Sequence, residues 1–391
     1  MRVPLSLHSL ARRPFPLPRP PSCCPSIRHF TVLAIESSAD DTAVAIVTSS
    51  QKILSNVVVK QNTIHEGYGG IHPYKAVQAH QHNLARAVRR ALAEANLSVI
   101  DVDGIAFTRG PGMTGCLGVG ASAAKSLAAA LDKPLVGVHH MQAHALTALL
   151  TSSPSEMPTF PFLTLLVSGG HTLLLLATSS TSFRILATTQ DQSIGRVFDK
   201  VSRMLALPWS ALGPGAALEE FCLPTTGEEA DDDNNVSLPL MPRPLPRTLA
   251  FSFSGIHSTV ERFVTSAGGV SSLDTSTRRS LARAFQRAAV GHLEEKLALA
   301  LRWCVGEGID VRHVVVSGGV ASNMYLRERL NVCAREASPD TPIALVFPPS
   351  SLCTDNAVMI AWASMHRFLA GDFDPYSIAI RPKWSIEELS S

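Results

Sequence analysis

The chain has 391 residues, enough for two or three domain-sized units and a large buried core. Hydrophobic residues make up 46% and charged residues 17%, which describes a soluble globular protein, and no uninterrupted apolar run reaches the roughly 18 residues of a membrane span, so membrane insertion is not expected. A formal net charge of +2 excludes a globally basic surface but leaves a local basic patch open, and seven cysteines without repeated metal-type spacing read as reduced intracellular thiols, not a disulfide framework.

Residues 1–30 carry Arg2, Arg12, Arg13, Arg19 and Arg28 and no acid; the first carboxylate is Glu36. An acid-free, Arg-rich stretch with interspersed serines has the composition of a mitochondrial transit peptide. Its seven prolines oppose an amphipathic helix, and a disordered tail without an address is the other reading. Val32 to Ile35 predicts a strand. The polar turn Glu36 to Asp41 follows, then strands at Thr42–Val47 and Ile53–Val59. Gly104 to Phe107 predicts a buried strand leading into Arg109-Gly110-Pro111-Gly112 and a small-residue helix from about Met113 to Leu131.

A further strand, Pro134 to Val138, precedes a helix start at His140. His140 and His144 stand about one helical turn apart, so both imidazoles project to one side and can share a metal. A metalloprotease needs a glutamate beside the first histidine, and Met141 is there instead. Alone, the pair reads equally well as two satisfied polar residues near a helix N-terminus.

The first plan then recurs. Phe162 to Val167, the turn Ser168-Gly169-Gly170-His171, Thr172 to Ala177 and Phe183 to Thr188 repeat strand, tight turn, strand, strand. His313 to Val316 leads into Ser317-Gly318-Gly319-Val320 and a helix from about Ala321. A strand ending in a Gly-rich turn that opens a helix presents backbone N–H groups to anions. Two such turns at matching places in a duplicated order point to a nucleotide cleft between two lobes. Residues 224–247 differ in character: Glu228, Glu229, Asp231, Asp232 and Asp233 precede Pro239, Pro242, Pro244 and Pro246, the composition of a solvated, mobile loop. Thr277 to about Trp303 predicts a long amphipathic packing helix, and a last helix is expected near Cys353, carrying Asp355.

Nine short motifs occur in one order between residue 32 and about residue 365. They are Glu36-Ser-Ser-Ala-Asp-Asp-Thr42, Tyr68-Gly-Gly-Ile71, Arg109-Gly-Pro-Gly-Met113, His140-x3-His144, Val167-Ser-Gly-Gly-His-Thr172, Phe198-Asp-Lys200, Phe251-Ser-Phe-Ser-Gly255, Ser317-Gly-Gly-Val-Ala-Ser-Asn323 and Cys353-Thr-Asp-Asn356. Each is weak alone. The ordered set resembles the tRNA N6-adenosine threonylcarbamoyltransferase family, and the acid-free start resembles its mitochondrial branch.

That resemblance implies an α/β fold: a duplicated actin/sugar-kinase/Hsp70-like architecture with two lobes around a nucleotide cleft. It implies a leader at 1–30, a first lobe at 31–155 completed by 353–391, and a second lobe at 156–352 with a disordered acidic and Pro-rich insert at 224–247. The implied reaction moves a threonylcarbamoyl group from threonylcarbamoyl-AMP to the N6-amine of the adenosine 3′ of the anticodon in ANN-decoding mitochondrial tRNAs. A separate synthase would supply the donor, and the acting form would be a homodimer in the mitochondrial matrix.

By the same resemblance the metal ligands fall on His140, His144 and Asp355, holding one divalent ion per subunit. Two imidazoles and a carboxylate suit zinc or iron equally. Substrate-binding positions fall on Leu166, Val167, Ser168, Gly169 and Gly170, and on Asp199, Gly213 and Asn323. Asn323 can contact the nucleotide or cap its helix. Three positions depart from the family pattern. Ala39 stands where cysteine is usual, which excludes a catalytic thiol there. Arg196 replaces a frequent acid beside Phe198-Asp-Lys200. Leu212 replaces the first glycine of Gly-Gly-Pro, with one extra residue between that motif and Asp199.

The adenine N6-amine is a poor nucleophile, because its lone pair is delocalised into the ring. The protein must supply positioning, charge stabilisation and removal of one amine proton. Glu36 and Asp40 are the candidate bases, and the sequence does not choose between them. Lys60, Lys75, Arg86, Arg89, Arg90 and Arg109 are the candidate phosphate contacts for tRNA. Two other readings stay open: an ATPase or phosphotransferase of the same fold, and a non-catalytic nucleotide-binding scaffold.

Overall fold

The computed structural model describes residues 29–68, 70–208, 213–224, 238–338 and 342–390. Residues 1–28 of the expected leader, the acidic half of the insert and Leu212 lie outside these residues. Strands β1 (Thr31–Glu36), β2 (Thr42–Thr48) and β3 (Ile53–Val59) form an antiparallel meander. Helices α1 (Asn62–Glu66) and α2 (Pro73–Glu94) follow, then β4 (Gly104–Gly110), α3 (Thr114–Ala130), β5 (Leu135–His139) and α4 (His140–Thr151). The sheet order is β3-β2-β1-β4-β5, with β4 parallel to β1 and β5 parallel to β4.

The second half repeats this plan. Strands β6 (Phe162–Val167), β7 (Thr172–Ala177) and β8 (Phe183–Thr188) form another antiparallel meander. After them come α5 (Ile194–Met204), α6 (Pro214–Cys222), α7 (Ser254–Ser266), α8 (Thr275–Gly306), β9 (His313–Ser317), α9 (Met324–Ala337), β10 (Ala344–Val346), α10 (Ser350–Cys353) and α11 (Ala357–Ala370). The order β10-β9-β6-β7-β8 is the first sheet's order read from the other edge. Parallel neighbours β9 and β10 occupy the places of β4 and β5.

Burial explains the apolar runs. Every residue of β1 and β2 is buried, as strands covered on both faces require. Leu33 and Ile35 pack outward with α2 and α3 side chains, whereas Val32 and Ala34 face the opposite way, by the period of two along a strand. Three apolar layers result: one outside each sheet and one between the sheets. The middle layer holds α4 and α11. Ten of the 12 residues of α4 are buried, and it touches β5 on one side and β6 and β9 on the other. Helix α11 pairs with α4 and lies across the first sheet.

Two helix starts differ from expectation, both because an asparagine caps a later residue. A short 3-10 turn, Gly319–Ser322, precedes α9, and the Asn323 side chain accepts from Leu326 N at 2.8 Å. Asp355 lies on no helix. It falls in the break between α10 and α11, where Asn356 accepts from Met359 N at 3.0 Å and donates to the Leu352 and Thr354 carbonyls. Gly318 has φ +98, and a Cβ there would come within 2.3 Å of the Val167 carbonyl, so the turn after β9 packs directly on the end of β6. The Pro-rich half of the insert, expected to be mobile, is anchored. Fully buried Lys296 donates to Leu245 O at 2.6 Å, and Arg247 N donates to Glu295 at 2.8 Å. Among the described residues no helix is long and apolar enough to cross a membrane, and no cysteine forms a disulfide.

The Phe251-Ser-Phe-Ser-Gly255 motif is a core anchor. Phe251 and Phe253 are fully buried, and the His292 ring meets both edge-on. Asp191 fastens the segment: it accepts from Ser252 Oγ at 2.7 Å, Phe253 N at 3.0 Å and Ser254 N at 3.1 Å, at the start of α7. Burial pushes its pKa up, but these bonds outweigh that and hold it down to about 2, from 3.8. The resulting stability is present above pH 3.8 and lost as pH falls through about 2. Asp191→Asn keeps an acceptor but loses the charge, and is expected to lower unfolding free energy at neutral pH by about 1 kcal/mol, the usual difference between hydrogen bonds to charged and to neutral groups. In denaturant melts the gap between the two proteins should close between pH 4 and pH 2; an unchanged gap there rules out the charged cap.

Candidate active site

His139 closes β5 and caps α4. Its Nδ1 accepts from Met141 N at 3.1 Å and Gln142 N at 3.5 Å, so the proton sits on Nε2, which donates to Trp384 O at 3.1 Å. Burial pushes its pKa down to about 3, which keeps the ring a neutral acceptor at working pH. The next residue, His140, places Nδ1 at 3.1 Å from Glu36 Oε2 and Nε2 at 3.5 Å from Asp355 Oδ1. His144 Nε2 lies 3.1 Å from the same Asp355 oxygen. The two rings meet edge-on at 4.7 Å, as expected for residues one turn apart.

One ligand atom from each of His140, His144 and Asp355 falls within 4.8 Å of the others. Two ligands on opposite sides of an ion at about 2.1 Å each are about 4.2 Å apart, and the Asp355 oxygen lies within that span of both His140 Nε2 at 3.5 Å and His144 Nε2 at 3.1 Å. The charge of this set fits as well. Burial lowers the His140 pKa, but Glu36 and Asp355 outweigh burial and hold it above its usual value. Asp355 shows the reverse: burial raises its pKa, and the two histidines hold it well below the carboxylate range. The pocket therefore favours positive charge, and its donors suit a divalent zinc or iron ion.

The second half supplies the facing wall. In the turn after β6, Ser168 Oγ accepts from Gly170 N at 3.3 Å and His171 N at 3.0 Å, so the hydroxyl shapes the turn. Leu166 and Val167 are buried, and what they can offer a ligand is backbone. A Cβ added at Gly169 or Gly170 would meet nothing within 4 Å, which leaves the space beside the turn open to a ligand. His171 brings this turn to the cluster, with its ring 6.5 Å from that of His140. Burial and His140 push its pKa down to about 4, so it is neutral.

Asp199 accepts from Gly215 N at 3.0 Å, beside Gly213 at the start of α6, and burial pushes its pKa up to about 6. Lys200 does not pair with it but donates to Gln192 at 2.5 Å, and Arg196 is exposed. Asn323 caps α9 and gives its amide to Gln286 at 3.4 Å. On the first turn, burial and Asp355 push Asp40 up to about 6, while burial and Asp40 push Asp41 up to about 8. Four of the basic candidates ride on α2, where Arg86, Arg89 and Arg90 are spaced to share one face. Lys60 lies close enough to Asp40 and Asp41 to oppose those shifts, Lys75 is half-buried, and Arg86, Arg89 and Arg90 are exposed on α2. The Arg109 guanidinium lies 5.1 Å from the Trp384 ring, which Arg381 also covers at 4.8 Å.

A profile of the family described as tRNA N6-adenosine threonylcarbamoyltransferase matches residues 52–362. The chain belongs to that family. It is 39% identical to the mitochondrial tRNA N6-adenosine threonylcarbamoyltransferase of Schizosaccharomyces pombe, over 93% of this chain and 88% of that one. A probable mitochondrial enzyme of that name from Arabidopsis thaliana is 38% identical over 92% and 75%. The Rickettsia bellii enzyme is 37% identical over 92% and 99%. Among solved structures, HypF of T. kodakarensis aligns with a TM-score of 0.51 at 14% identity, covering 88% of this chain and 48% of that one. The fold is thus the duplicated actin/sugar-kinase/Hsp70-like one, and the family makes this chain a transferase of tRNA modification.

Sequence reading passed over His139, His171 and Trp384. A His-His doublet at a strand-to-helix junction was the available sign for the first. Replacing His139 with alanine removes the α4 cap and is expected to cost about 1–2 kcal/mol in denaturant unfolding. His139→Asn, whose side-chain oxygen can accept from the same amides, should recover most of that loss. Equal stability of His139→Ala and the unaltered protein would show that the cap carries no weight.

Proposed function

We propose that this protein transfers the threonylcarbamoyl group from threonylcarbamoyl-AMP to the N6-amine of the adenosine 3′ of the anticodon in ANN-decoding mitochondrial tRNAs. The observation that carries the reading is the convergence of His140, His144 and Asp355 beside the open turn Ser168–Gly170, in a member of this tRNA-modifying family. A divalent ion on those three residues would supply charge neutralisation or Lewis acidity at the donor. The proposed site lies between two lobes, 31–155 with 353–391 and 156–352. Residues Leu166 to Gly170 would hold the donor through backbone, with Asp199, Gly213 and Asn323 at its nucleotide end.

In the reaction the N6 nitrogen forms a bond to the carbamoyl carbon, the bond to the phosphate oxygen breaks, AMP leaves, and one amine proton departs. Asp40 is our candidate for that proton. Its pKa of about 6 lies close to working pH, where a base is both ionised and able to hold a proton. The target adenosine lies in a loop, where unstacking costs little. A separate synthase would make the donor, and the acting form would be a homodimer. The mitochondrial names of two relatives and the acid-free, Arg-rich start of the chain support a mitochondrial location, which we assign to the matrix.

Reconstitution tests the reading. The protein is incubated with a threonylcarbamoyl-AMP synthase, threonine, bicarbonate, ATP and an unmodified ANN-decoding tRNA, and the digested nucleosides are weighed by mass spectrometry. Modified adenosine is expected, with a loss on the order of 100-fold or more in His144→Ala and Asp355→Ala. Unimpaired product from both variants refutes the metal site, and ATP turnover without tRNA favours a phosphotransferase.

A pH profile tests the base. Asp40 accepts a proton only when ionised, so kcat/KM should rise as pH rises through about 6. Asp40 and Asp41 influence each other, so the lower of two joint steps is the relevant one. Asp40→Asn is expected to lower kcat by about 100-fold or more and to abolish that acid limb. An intact limb in the variant assigns the proton elsewhere.

A further inference from the structure

Glu36 is the least exposed polar group of the first turn, at 0%. It ends β1, and the alternation that turns Val32 and Ala34 toward the layer between the sheets puts its side chain there too. Its Oε1 accepts from Ser38 N at 2.6 Å. Its Oε2 accepts from the Thr108 hydroxyl on the neighbouring strand and faces His140 Nδ1 at 3.1 Å. Every neighbour in this set is a donor or can act as one. The group is therefore held as a carboxylate, and it is shut off from solvent and from the open space beside Gly169.

We propose that Glu36 is a positioning residue for the metal, fixing which nitrogen of His140 binds it, and that it is not the base. A carboxylate can only accept, so it requires the His140 proton on Nδ1. That leaves the lone pair on Nε2, the nitrogen that faces Asp355 and the His144 side of the cluster. Metal-binding histidines are commonly oriented this way by a carboxylate behind the ring. Charge counts toward the same assignment. Glu36 and Asp355 contribute two negative charges, the imidazoles bind as neutral ligands, and a divalent ion closes the sum at zero. Buried charge that is balanced and hydrogen-bonded is tolerated; an excess is not. Thr108 completes the device, because its hydroxyl donates to the same Glu36 oxygen that faces His140.

The proposal rests on the metal reading of His140, His144 and Asp355, and the two can fail separately. The full chain is stripped with a chelator and titrated with Zn²⁺ against a chromophoric competitor, and with Co²⁺ for its visible spectrum. Wild type should bind one ion per chain, and His144→Ala should lose it. Glu36→Gln must turn its NH₂ either toward the Ser38 N–H, itself a donor, or toward both the Thr108 hydroxyl and His140 Nδ1, so the set around Glu36 is mismatched either way. It is expected to bind about 10- to 100-fold more weakly, with a changed Co²⁺ spectrum. Circular dichroism of the metal-free proteins checks folding. If Glu36→Gln does not fold, Thr108→Val decides, with affinity expected to fall by about tenfold. Unchanged affinity in the deciding variant overturns the role of Glu36 while leaving the metal site standing. Absence of binding by wild type, or wild-type affinity in His144→Ala, overturns the metal reading and this proposal with it.

Discussion

Helix α4 begins with three consecutive buried residues, His139, His140 and Met141, between two sheets. Two imidazoles in such a place lose water on every side. Each ring nitrogen must then find a partner, or the fold bears a cost of roughly 1–3 kcal/mol per group. His139 settles both of its nitrogens within the chain, one on the helix it caps and one on the Trp384 carbonyl. His140 meets Glu36 behind and Asp355 in front. That requirement draws the end of β1, the break before α11 and the C-terminal tail to one point. His144 Nδ1, on the far side of its ring, is buried without a hydrogen-bond partner among the described residues.

The tail's part is easily underrated. Arg381 N donates to Arg109 O at 2.8 Å, and Gly112 N donates to Pro382 O at 3.1 Å, so residues 381–382 run beside the turn after β4. Gly110 leaves no room for a side chain, since a Cβ would overlap the Arg381 carbonyl at 1.9 Å. Trp384 is thereby delivered to His139, with the rings at 4.7 Å. A segment more than 240 residues away in sequence thus sets the tautomer of a helix cap beside a proposed metal ligand.

Much of this was legible beforehand, and for reasons that separate cleanly. The first two strands of each meander were legible because two-sided burial writes long apolar runs, and the partly exposed third strands because the plan occurs twice. The histidine pair was legible because helical spacing alone puts both rings on one side. Asp355 was not legible from pattern, since a single acid carries no periodicity; only family resemblance singled it out. Even then its setting was misjudged, because Asn356 reads as an ordinary polar residue until its capping bond is seen. Glu36 was noticed as a charge in a turn. Strand alternation could have said more: Val32, Ala34 and Glu36 share a face, and a carboxylate on an apolar face needs a partner there.

The acids Asp40 and Asp41, on the turn between β1 and β2, complete the picture by their opposition to folding. Asp40 and Asp41 have pKa values raised to about 6 and about 8, burial being the first cause and neighbouring carboxylates the next. A carboxylate whose folded pKa is raised is stabilising to hold protonated, so ionising it as pH rises through that range works against the folded state. At neutral pH this corner therefore carries more negative charge than its surroundings favour. Lys60 relieves part of it. Positive charge brought by a metal on His140, His144 and Asp355 would relieve more, because Asp355 is itself among the groups that raise both pKa values. The same electrostatics that make the pocket receptive to a cation hold Asp40 near neutrality, so a cation at the proposed metal site and the ionisation of Asp40 would be linked through Asp355.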